Sequence, residues 1–263
     1  MQLEGKTALI TGGGGGIGAG IAEALVERGT KVAITDINLD FATAEAERIG
    51  GGAVAMQHDV TSLDSWADVV AQVGQIDVLC NNAGISQQFK PLVDVAPDEF
   101  ARLLAINVTG VYNGIHTCVP PMIARGEGHV VNTSSLNGLL PHGPFAGYCA
   151  TKFAVAGMSE ALRIELEPKG IGVSILYPGL TRSRMSESQG GEMDPETAKI
   201  LASRMMEPVW LGRAVADAIE QNCLHIITHP VHKPTLEARF TGILEAHGDP
   251  AQPDYEGGAF STD

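Results

Sequence analysis

Thr11-Gly12-Gly13-Gly14-Gly15-Gly16-Ile17-Gly18 is the stretch of this 263-residue sequence that decides its fold. A short apolar run at residues 7–11 leads into it, and an amphipathic segment at residues 17–28 follows at once. Glycines allow a tight turn and a close approach to a pyrophosphate, and a helix N-terminus offers free N–H groups. The stretch therefore predicts a dinucleotide phosphate loop, with Gly12, Gly16, Ile17 and Gly18 as candidate contacts. A flexible glycine-rich turn is the alternative interpretation.

Asp36 stands 24 positions after Gly12, at the end of the next apolar run. A carboxylate in this place accepts hydrogen bonds from the adenosine ribose and repels a 2′-phosphate. The glycine stretch contains no Arg or Lys, and Ile37 follows the aspartate. These residues favour NAD over NADP as the cofactor. The alternative is a solvated turn residue without a ligand.

Short apolar runs alternate with helix-length amphipathic segments along the chain. We expect strands at 7–11, 31–36, 53–58, 76–80, 129–133, 171–176 and 225–228, and helices at 17–28, 41–49, 63–73, 98–124, 148–167 and 211–221. This alternation predicts an α/β fold: a single doubly wound, Rossmann-type domain with a seven-stranded parallel sheet and helices on both faces. We place this domain at residues 1–247, with a substrate lid at 184–210 and a mobile acidic tail at 248–263.

Composition excludes several classes of partner. The net charge of −14 disfavours binding to nucleic acid and to anionic membrane surfaces. No apolar run reaches the roughly 18 residues of a membrane-spanning helix, and no secretory signal is visible. The four cysteines are scattered without a CxxC pair, and the eight histidines are dispersed along the chain. We expect a cytoplasmic protein with reduced thiols, no metal site and a small-molecule substrate.

Tyr148 and Lys152 are spaced i, i+4 at the start of a predicted helix, so their side chains project from one face. A phenol titrates near 10 in water and is a poor base at neutral pH. A nearby ammonium favours the phenolate and lowers that pKa. Such a pair can take a proton from an alcohol or give one to a ketone.

The motifs occur together in an order typical of one family. Thr11–Gly18 fits TGxxxGIG, Asn81–Gly84 fits NNAG, and Tyr148–Lys152 fits YxxxK. With Ser135 thirteen residues before the tyrosine and Asn107 in the long predicted helix, the chain resembles the short-chain dehydrogenase/reductase family over roughly residues 5 to 230. The resemblance implies an NAD-dependent oxidoreductase that transfers a hydride between the nicotinamide and an alcohol or ketone.

The resemblance also implies catalytic roles. Tyr148 would be the general acid/base, and Lys152 would lower its pKa and bind the nicotinamide ribose. Ser135 would hydrogen-bond the substrate oxygen, and its spacing to Tyr148 favours it over the neighbouring Ser134. Asn107 would hold a water that links Lys152 to solvent.

Further cofactor contacts follow from the same resemblance. The candidates, besides Tyr148 and Lys152, are Asp59, Val60, Asn82, Ala83, Gly84, Pro178, Gly179, Thr181 and Ser183. The chain departs from the usual PGxVxT pattern twice, because Thr181 replaces Val and Ser183 replaces Thr. Both residues keep a backbone N–H, so these departures bear on fine geometry rather than on binding itself.

The substrate region is expected to be apolar. We name Ser135, Asn137, His142 and Met185 as candidate substrate contacts, because they lie after the fifth strand or in the lid. Methionines of the lid pack adaptably on apolar ligands, which favours a bulky secondary alcohol or ketone, aromatic, terpenoid or steroid-like. Alternatively these methionines fill the core, and His142 caps a loop.

Two other functions are considered. One is a non-catalytic NAD-binding sensor, which the presence of all four catalytic candidates disfavours. The other is a keto-thioester reductase, which Asp36 and the acidic charge disfavour. By resemblance we also expect a homodimer or homotetramer that associates through the helices at 98–124 and 148–167.

Overall fold

The strands form where the sequence has short runs of apolar residues. In the computed structural model, which describes residues 1–183, 199 and 202–248, the strands are β1 (Thr7–Thr11), β2 (Lys31–Asp36), β3 (Val54–Gln57), β4 (Val78–Asn81), β5 (Gly128–Thr133), β6 (Ile171–Tyr177) and β7 (His225–Ile227). All pair in parallel, in the order β3-β2-β1-β4-β5-β6-β7. The predicted seven-stranded, doubly wound sheet is therefore confirmed.

Helices connect the strands and cover both faces of the sheet. They are α1 (Gly16–Glu27), α2 (Leu39–Ile49), α3 (Leu63–Val73), α4 (Pro97–Leu104), α5 (Gly110–Arg125), α6 (Ala146–Leu166) and α7 (Pro208–Gln221). Alternate residues of a strand point to opposite faces, so Ile10 of β1 belongs to one apolar cluster and Leu9 to the other. The first cluster includes residues of α1, α2 and α7, and the second includes residues of α3, α5 and α6.

Helices α1 and α7 pack with their backbones nearly touching. A Cβ added to Gly212 would lie 2.0 Å from the backbone oxygen of Gly20, and a Cβ added to Gly20 would lie 2.3 Å from Pro208. Only glycine at both positions allows this approach. The contact fixes α7 against the helix that follows the glycine stretch.

The long helix expected at residues 98–124 is interrupted. Between α4 and α5 the backbone forms a π-helical turn over Ala105–Thr109, which contains Asn107. A π turn inserts one extra residue into a helix and changes the direction of the side chains that follow, and such turns are frequent at functional sites. The periodicity of the sequence does not reveal this insertion.

The described residues divide into two compact units, residues 1–229 and the residues from 230 onward. The boundary falls inside the single domain expected at 1–247. The second unit contains a short turn, Pro230–His232, and α8 (Lys233–Glu245), to which the sequence analysis assigns no helix. The expected acidic tail lies outside the described residues except for Gly248.

Candidate active site

The candidate residues come together because parallel strands bring their carboxyl ends to one edge of the sheet. Gly12 follows β1, Asn82 follows β4 and Ser135 follows β5 closely, while Asp36 ends β2. The strand order reverses between β1 and β4, and the site lies at this edge.

The glycine stretch is built for close backbone contact. Gly12 has a φ of 63°, and a Cβ there would lie 2.7 Å from the Cα of Ala83. Gly16 has a φ of 56°, and a Cβ there would lie 2.7 Å from the Cβ of Ser183. No side chain caps the first turn of α1, so its N–H groups are open to an anionic ligand. This cradle fits a pyrophosphate.

The Asp36 carboxylate is held by the backbone on two sides. Its Oδ2 atom accepts a hydrogen bond from the Gly14 N–H at 3.0 Å, and Oδ1 accepts one from the Asn38 N–H at 3.0 Å. A Cβ at Gly14 would lie 2.8 Å from Oδ2. The carboxylate therefore has a fixed orientation against the glycine stretch.

A cavity of about 470 Å³ opens beside Asp36. Its size and mixed lining fit the adenosine half of a dinucleotide, and the predicted residues Gly12, Asp59, Val60, Ala83 and Gly84 all line it. The cavity is also lined by Ile37, His58, Thr61, Ile85, Arg102, Ala105 and Ile106.

Asn82 connects the glycine stretch to the ends of β4 and β5. Its Nδ2 donates to the carbonyls of Thr11 at 3.1 Å and Gly12 at 3.2 Å, and its Oδ1 accepts from the Thr133 hydroxyl at 3.3 Å. The Thr11 hydroxyl oxygen accepts from the N–H groups of Asn82 and Ala83, each at 3.0 Å. The Asn82 side chain thus holds the start of the glycine stretch against the end of β5, next to the cavity-lining residues Gly12 and Ala83.

Three of the catalytic candidates lie side by side. The Nζ atom of Lys152 lies 5.5 Å from the centre of the Tyr148 ring and donates to the Thr133 carbonyl at 2.9 Å. Enclosure by protein raises the pKa of Tyr148 to about 12, which a hydrogen bond with the Ser135 hydroxyl opposes. Burial lowers the pKa of Lys152 to about 8. Each shift favours the neutral form of its group, because burial disfavours either charge.

Asn107 is fully buried within the π turn. Its Oδ1 accepts from the Ile85 N–H at 2.8 Å, and its Nδ2 donates to the Ile85 carbonyl at 2.9 Å and to the Thr151 hydroxyl at 3.1 Å. The side chain therefore fixes the segment after β4 against α6, one residue before Lys152. The water-holding role that the resemblance assigns to Asn107 stays a prediction.

The two neighbouring serines have different surroundings. Ser134 is buried, and its hydroxyl donates to the Lys152 carbonyl at 2.8 Å. Ser135 is partly exposed, and its Oγ accepts from the Asn137 N–H at 3.1 Å. Only the Ser135 hydroxyl is placed beside the Tyr148 hydroxyl, in agreement with the spacing argument.

The segment after β6 packs on the glycine stretch. The Thr181 hydroxyl donates to the Gly179 carbonyl at 3.0 Å, and the backbone of Thr181 forms a parallel bridge with Met206. The Gly179 N–H donates to Nδ1 of His229 at 3.1 Å, a contact that the sequence analysis missed. With Ser183 against Gly16, the predicted contacts at 178–183 lie beside the phosphate cradle.

The sequence matches the short chain dehydrogenase family over residues 6–194. The chain belongs to this family. A 3-alpha-(or 20-beta)-hydroxysteroid dehydrogenase of Mycobacterium tuberculosis is 38% identical to this short-chain dehydrogenase over 190 residues, 71% of this chain and 73% of that protein.

Two solved structures are similar along almost the whole chain. A short-chain dehydrogenase from Novosphingobium aromaticivorans is 36% identical with a TM-score of 0.84, covering 96% of this chain and 92% of that one. A short-chain dehydrogenase/reductase from Burkholderia phymatum in complex with NAD is 25% identical with a TM-score of 0.84, covering 96% of this chain and 99% of that one. This short-chain dehydrogenase is an oxidoreductase with a nicotinamide cofactor.

The predicted substrate contacts of the dehydrogenase are only partly described. Asn137 lies in a short turn over Leu136–Gly138, and His142 is exposed, while Met185 lies outside the described residues. The His142 ring forms an aromatic cluster with Phe89 and Phe145: Phe89 lies 5.3 Å from Phe145 and 6.1 Å from His142, centre to centre. Phe89 is 69% exposed.

Gln87 is a second residue that the sequence analysis missed. It is fully buried and lies between the segment after β4 and the start of α6. Its neighbours are the backbones of Lys90, Pro144 and Tyr148. A buried glutamine in a connecting segment has no signature in the local sequence, because two of its three partners, Pro144 and Tyr148, are far away along the chain.

Two absences apply to the described part of the dehydrogenase. No group of three or more His, Cys, Asp or Glu residues there could hold a metal ion. No helix there is long and apolar enough to cross a membrane.

Proposed function

We propose that this enzyme is an NAD-dependent dehydrogenase of a bulky, mostly apolar secondary alcohol, or a reductase of the matching ketone. The observation that carries the proposal is the placement of the Ser135 and Tyr148 hydroxyls together, with the Lys152 ammonium 5.5 Å from the phenol ring. A substrate hydroxyl that contacts both would have a hydrogen-bond donor and a proton acceptor on one side.

The proton chemistry follows from these groups. During alcohol oxidation the Tyr148 oxygen takes the substrate's hydroxyl proton, and the Ser135 hydroxyl donates to the oxygen on which negative charge develops. The Lys152 ammonium would stabilise the Tyr148 phenolate, which desolvation otherwise disfavours. A nicotinamide cofactor held by the glycine stretch and Asp36 would supply the acceptor for the hydride of the carbinol carbon. In the reverse direction Tyr148 returns the proton to the carbonyl oxygen.

Tyr148→Phe tests the assignment because it removes only the hydroxyl. Turnover should fall by about 100-fold or more, while NAD affinity remains. Tyr112→Phe is the matched control, since Tyr112 is exposed on α5. A Tyr148→Phe enzyme within a few-fold of the wild type would refute the role of Tyr148. Wild-type protein that binds NAD without oxidising any alcohol would favour the sensor function.

The preference for NAD rests on Asp36. Its carboxylate is fixed at the cavity edge by Gly14 and Asn38, where it would accept from the ribose hydroxyls and repel a 2′-phosphate. We expect a higher kcat/KM with NAD than with NADP. Asp36→Ala should reduce the difference between the two kcat/KM values, mainly by raising kcat/KM with NADP. A wild-type preference for NADP would overturn this interpretation.

The aromatic cluster supports an apolar substrate. Phe89 exposes most of its ring while its neighbours Phe145 and His142 belong to the segment between Ser135 and Tyr148. Exposed aromatic side chains beside a reaction centre offer flat, apolar contact. A panel of secondary alcohols with NAD, followed by NADH absorbance, tests this. Better kcat/KM for small polar alcohols than for aryl or polycyclic ones would contradict it.

Self-association through α5 and α6 is part of the proposal. Tyr112 on α5 and Ile164 on α6 are 53% and 62% exposed, which leaves apolar area on both helices. Light scattering should give a dimer or tetramer, and Ile164→Glu should lower the mass. A monomeric wild type would refute this part.

A further inference from the structure

The carboxamide of Gln87 makes three hydrogen bonds. Its Oε1 accepts from the Tyr148 N–H at 3.1 Å, and its Nε2 donates to the carbonyls of Lys90 and Pro144, both at 3.1 Å. The side chain is fully buried. A buried amide with three partners fixes all of them, because breaking one bond leaves a buried polar group unpaired.

The bond to Tyr148 serves a specific need of the helix. Helix α6 begins at Ala146, so the Tyr148 N–H belongs to the first turn, whose N–H groups have no acceptor within the helix. The residue before the helix, Phe145, provides no side-chain cap. Gln87, 61 positions earlier in the chain, provides the acceptor at the residue whose hydroxyl carries the chemistry.

The neighbouring position leaves room for this bond. A Cβ at Gly147 would lie 2.6 Å from the Gln87 Oε1 atom. The Lys90 N–H adds a further bond to the Pro144 carbonyl at 3.2 Å. The segment at 86–90, the segment at 143–145 and the first turn of α6 are therefore fastened at one point.

We propose that Gln87 is a positioning residue for Tyr148. It holds the first turn of α6 so that the Tyr148 hydroxyl stays beside Ser135 and within the field of Lys152. It also couples the aromatic cluster to the acid/base, because Phe89 and Phe145 belong to the two segments that Gln87 joins. The inference rests on the proposed function for the role of Tyr148.

The first test compares Gln87→Met with Gln88→Met, since Gln88 is the exposed neighbour. Gln87→Met keeps the length of the side chain but removes its amide. We expect kcat for alcohol oxidation to fall roughly 10- to 100-fold, since small displacements of a reacting group have effects of that size. The alkaline rise of kcat should move to higher pH, and the Kd for NAD should stay within about two-fold. Gln88→Met should leave all three unchanged.

A second pair of variants tests the same inference if Gln87→Met does not fold. Gly147→Ala keeps the glutamine but pushes its carboxamide away, whereas Gly157→Ala lies in the same helix with no atom within 4 Å of the new Cβ. Gly147→Ala should reproduce the loss of kcat and the displaced pH profile, and Gly157→Ala should not.

A double variant separates positioning from general weakening of the fold. In a Tyr148→Phe background, Gln87→Met should reduce the residual activity no further, because the group it positions is gone. An additive loss would overturn the inference. So would kcat values within about two-fold of wild type, with unchanged pH profiles, for both Gln87→Met and Gly147→Ala.

The outcome also distinguishes this inference from the proposed function. A wild type without turnover on any alcohol refutes the proposed function and, with it, the positioning role. Active wild type with unaffected variants refutes only the role of Gln87. Hydrogen exchange needs no turnover: the Tyr148 amide should exchange faster in Gln87→Met and at the wild-type rate in Gln88→Met. Equal exchange in both would also overturn the inference.

Discussion

Replacing Lys152 by methionine should displace the pH profile of alcohol oxidation toward alkali. The active form of the pair has lost a proton, so the rate rises with pH through an apparent pKa. Desolvation raises the pKa of Tyr148 to about 12, and a hydrogen bond with Ser135 opposes that rise. An ammonium at Lys152 Nζ, 5.5 Å from the ring centre, would favour the phenolate further. Removing the charge therefore raises the apparent pKa and lowers the rate at any pH below it.

The size of the effect follows from one distance. A unit charge 5.5 Å from the phenol ring contributes about 3 kcal/mol at an effective dielectric constant of about 20. That energy corresponds to about 2 pH units. At a fixed pH below the rise, kcat of Lys152→Met should be about 100-fold lower than that of the wild type.

The assay is kcat for alcohol oxidation from pH 6 to 10.5 at saturating NAD, so that weaker ribose binding does not enter. Lys152→Arg is the control, since it keeps the charge and should retain most of the profile, although its planar group fits the ribose less well. A Lys152→Met profile that coincides with that of the wild type would refute the electrostatic argument. The acceptor of the proton would then have to be another group, with His142 the first candidate.

Three further predictions concern other parts of the molecule. Residues 184–210 should be cleaved by protease more slowly with NAD and substrate than without them, because a closed lid is ordered; equal rates would count against a lid. Burial lowers the pKa of His129 from 6.5 to about 3, so between these pH values the unfolded chain binds a proton that the folded chain does not. The free energy of unfolding should therefore fall as the pH drops from 6.5 toward 3, by up to about 1.4 kcal/mol per pH unit. Urea titrations at several pH values should show a smaller pH dependence for His129→Gln, and an unchanged pH dependence would contradict the buried, neutral state of His129. Gly12→Ala should weaken NAD binding more than 10-fold in calorimetry, because the new Cβ would press on Ala83. Gly74→Ala is the control, since Gly74 has a similar φ but no atom near the new Cβ; it should lower the free energy of unfolding by about 1 kcal/mol and leave NAD affinity unchanged. Equal losses of affinity in the two variants would exclude the phosphate cradle at Gly12.

The helices that begin or end at recognisable capping residues were predicted from the local sequence. Helix α3 was predicted at its observed bounds, because Ser62 caps its start by accepting from the Ser65 N–H and Gly74 ends it with a φ of 76°. The glycine stretch likewise predicted the start of α1. The parallel, doubly wound sheet was predicted from the alternation of strands and helices.

Other features depend on partners that are distant in sequence. The π turn over Ala105–Thr109 has a normal helical composition, and one inserted residue hardly changes the periodicity. Helix α8 was overlooked although Leu236, Phe240 and Ile243 recur at helical spacing. None of its residues is buried in the structure. Gln87 reads as one of two adjacent glutamines, and only the fold shows that it is buried and its neighbour exposed.

The parallel bridge between Thr181 and Met206 has a consequence for the evolution and engineering of the enzyme. The segment that follows Thr181 returns to it at Met206, and the Arg182 N–H donates to the Met206 carbonyl at 3.1 Å. Closing a longer or shorter excursion between fixed ends costs little, since loop entropy grows only slowly with length. We therefore expect the segment between these two anchors to tolerate changes of length and composition with little effect on the cofactor site.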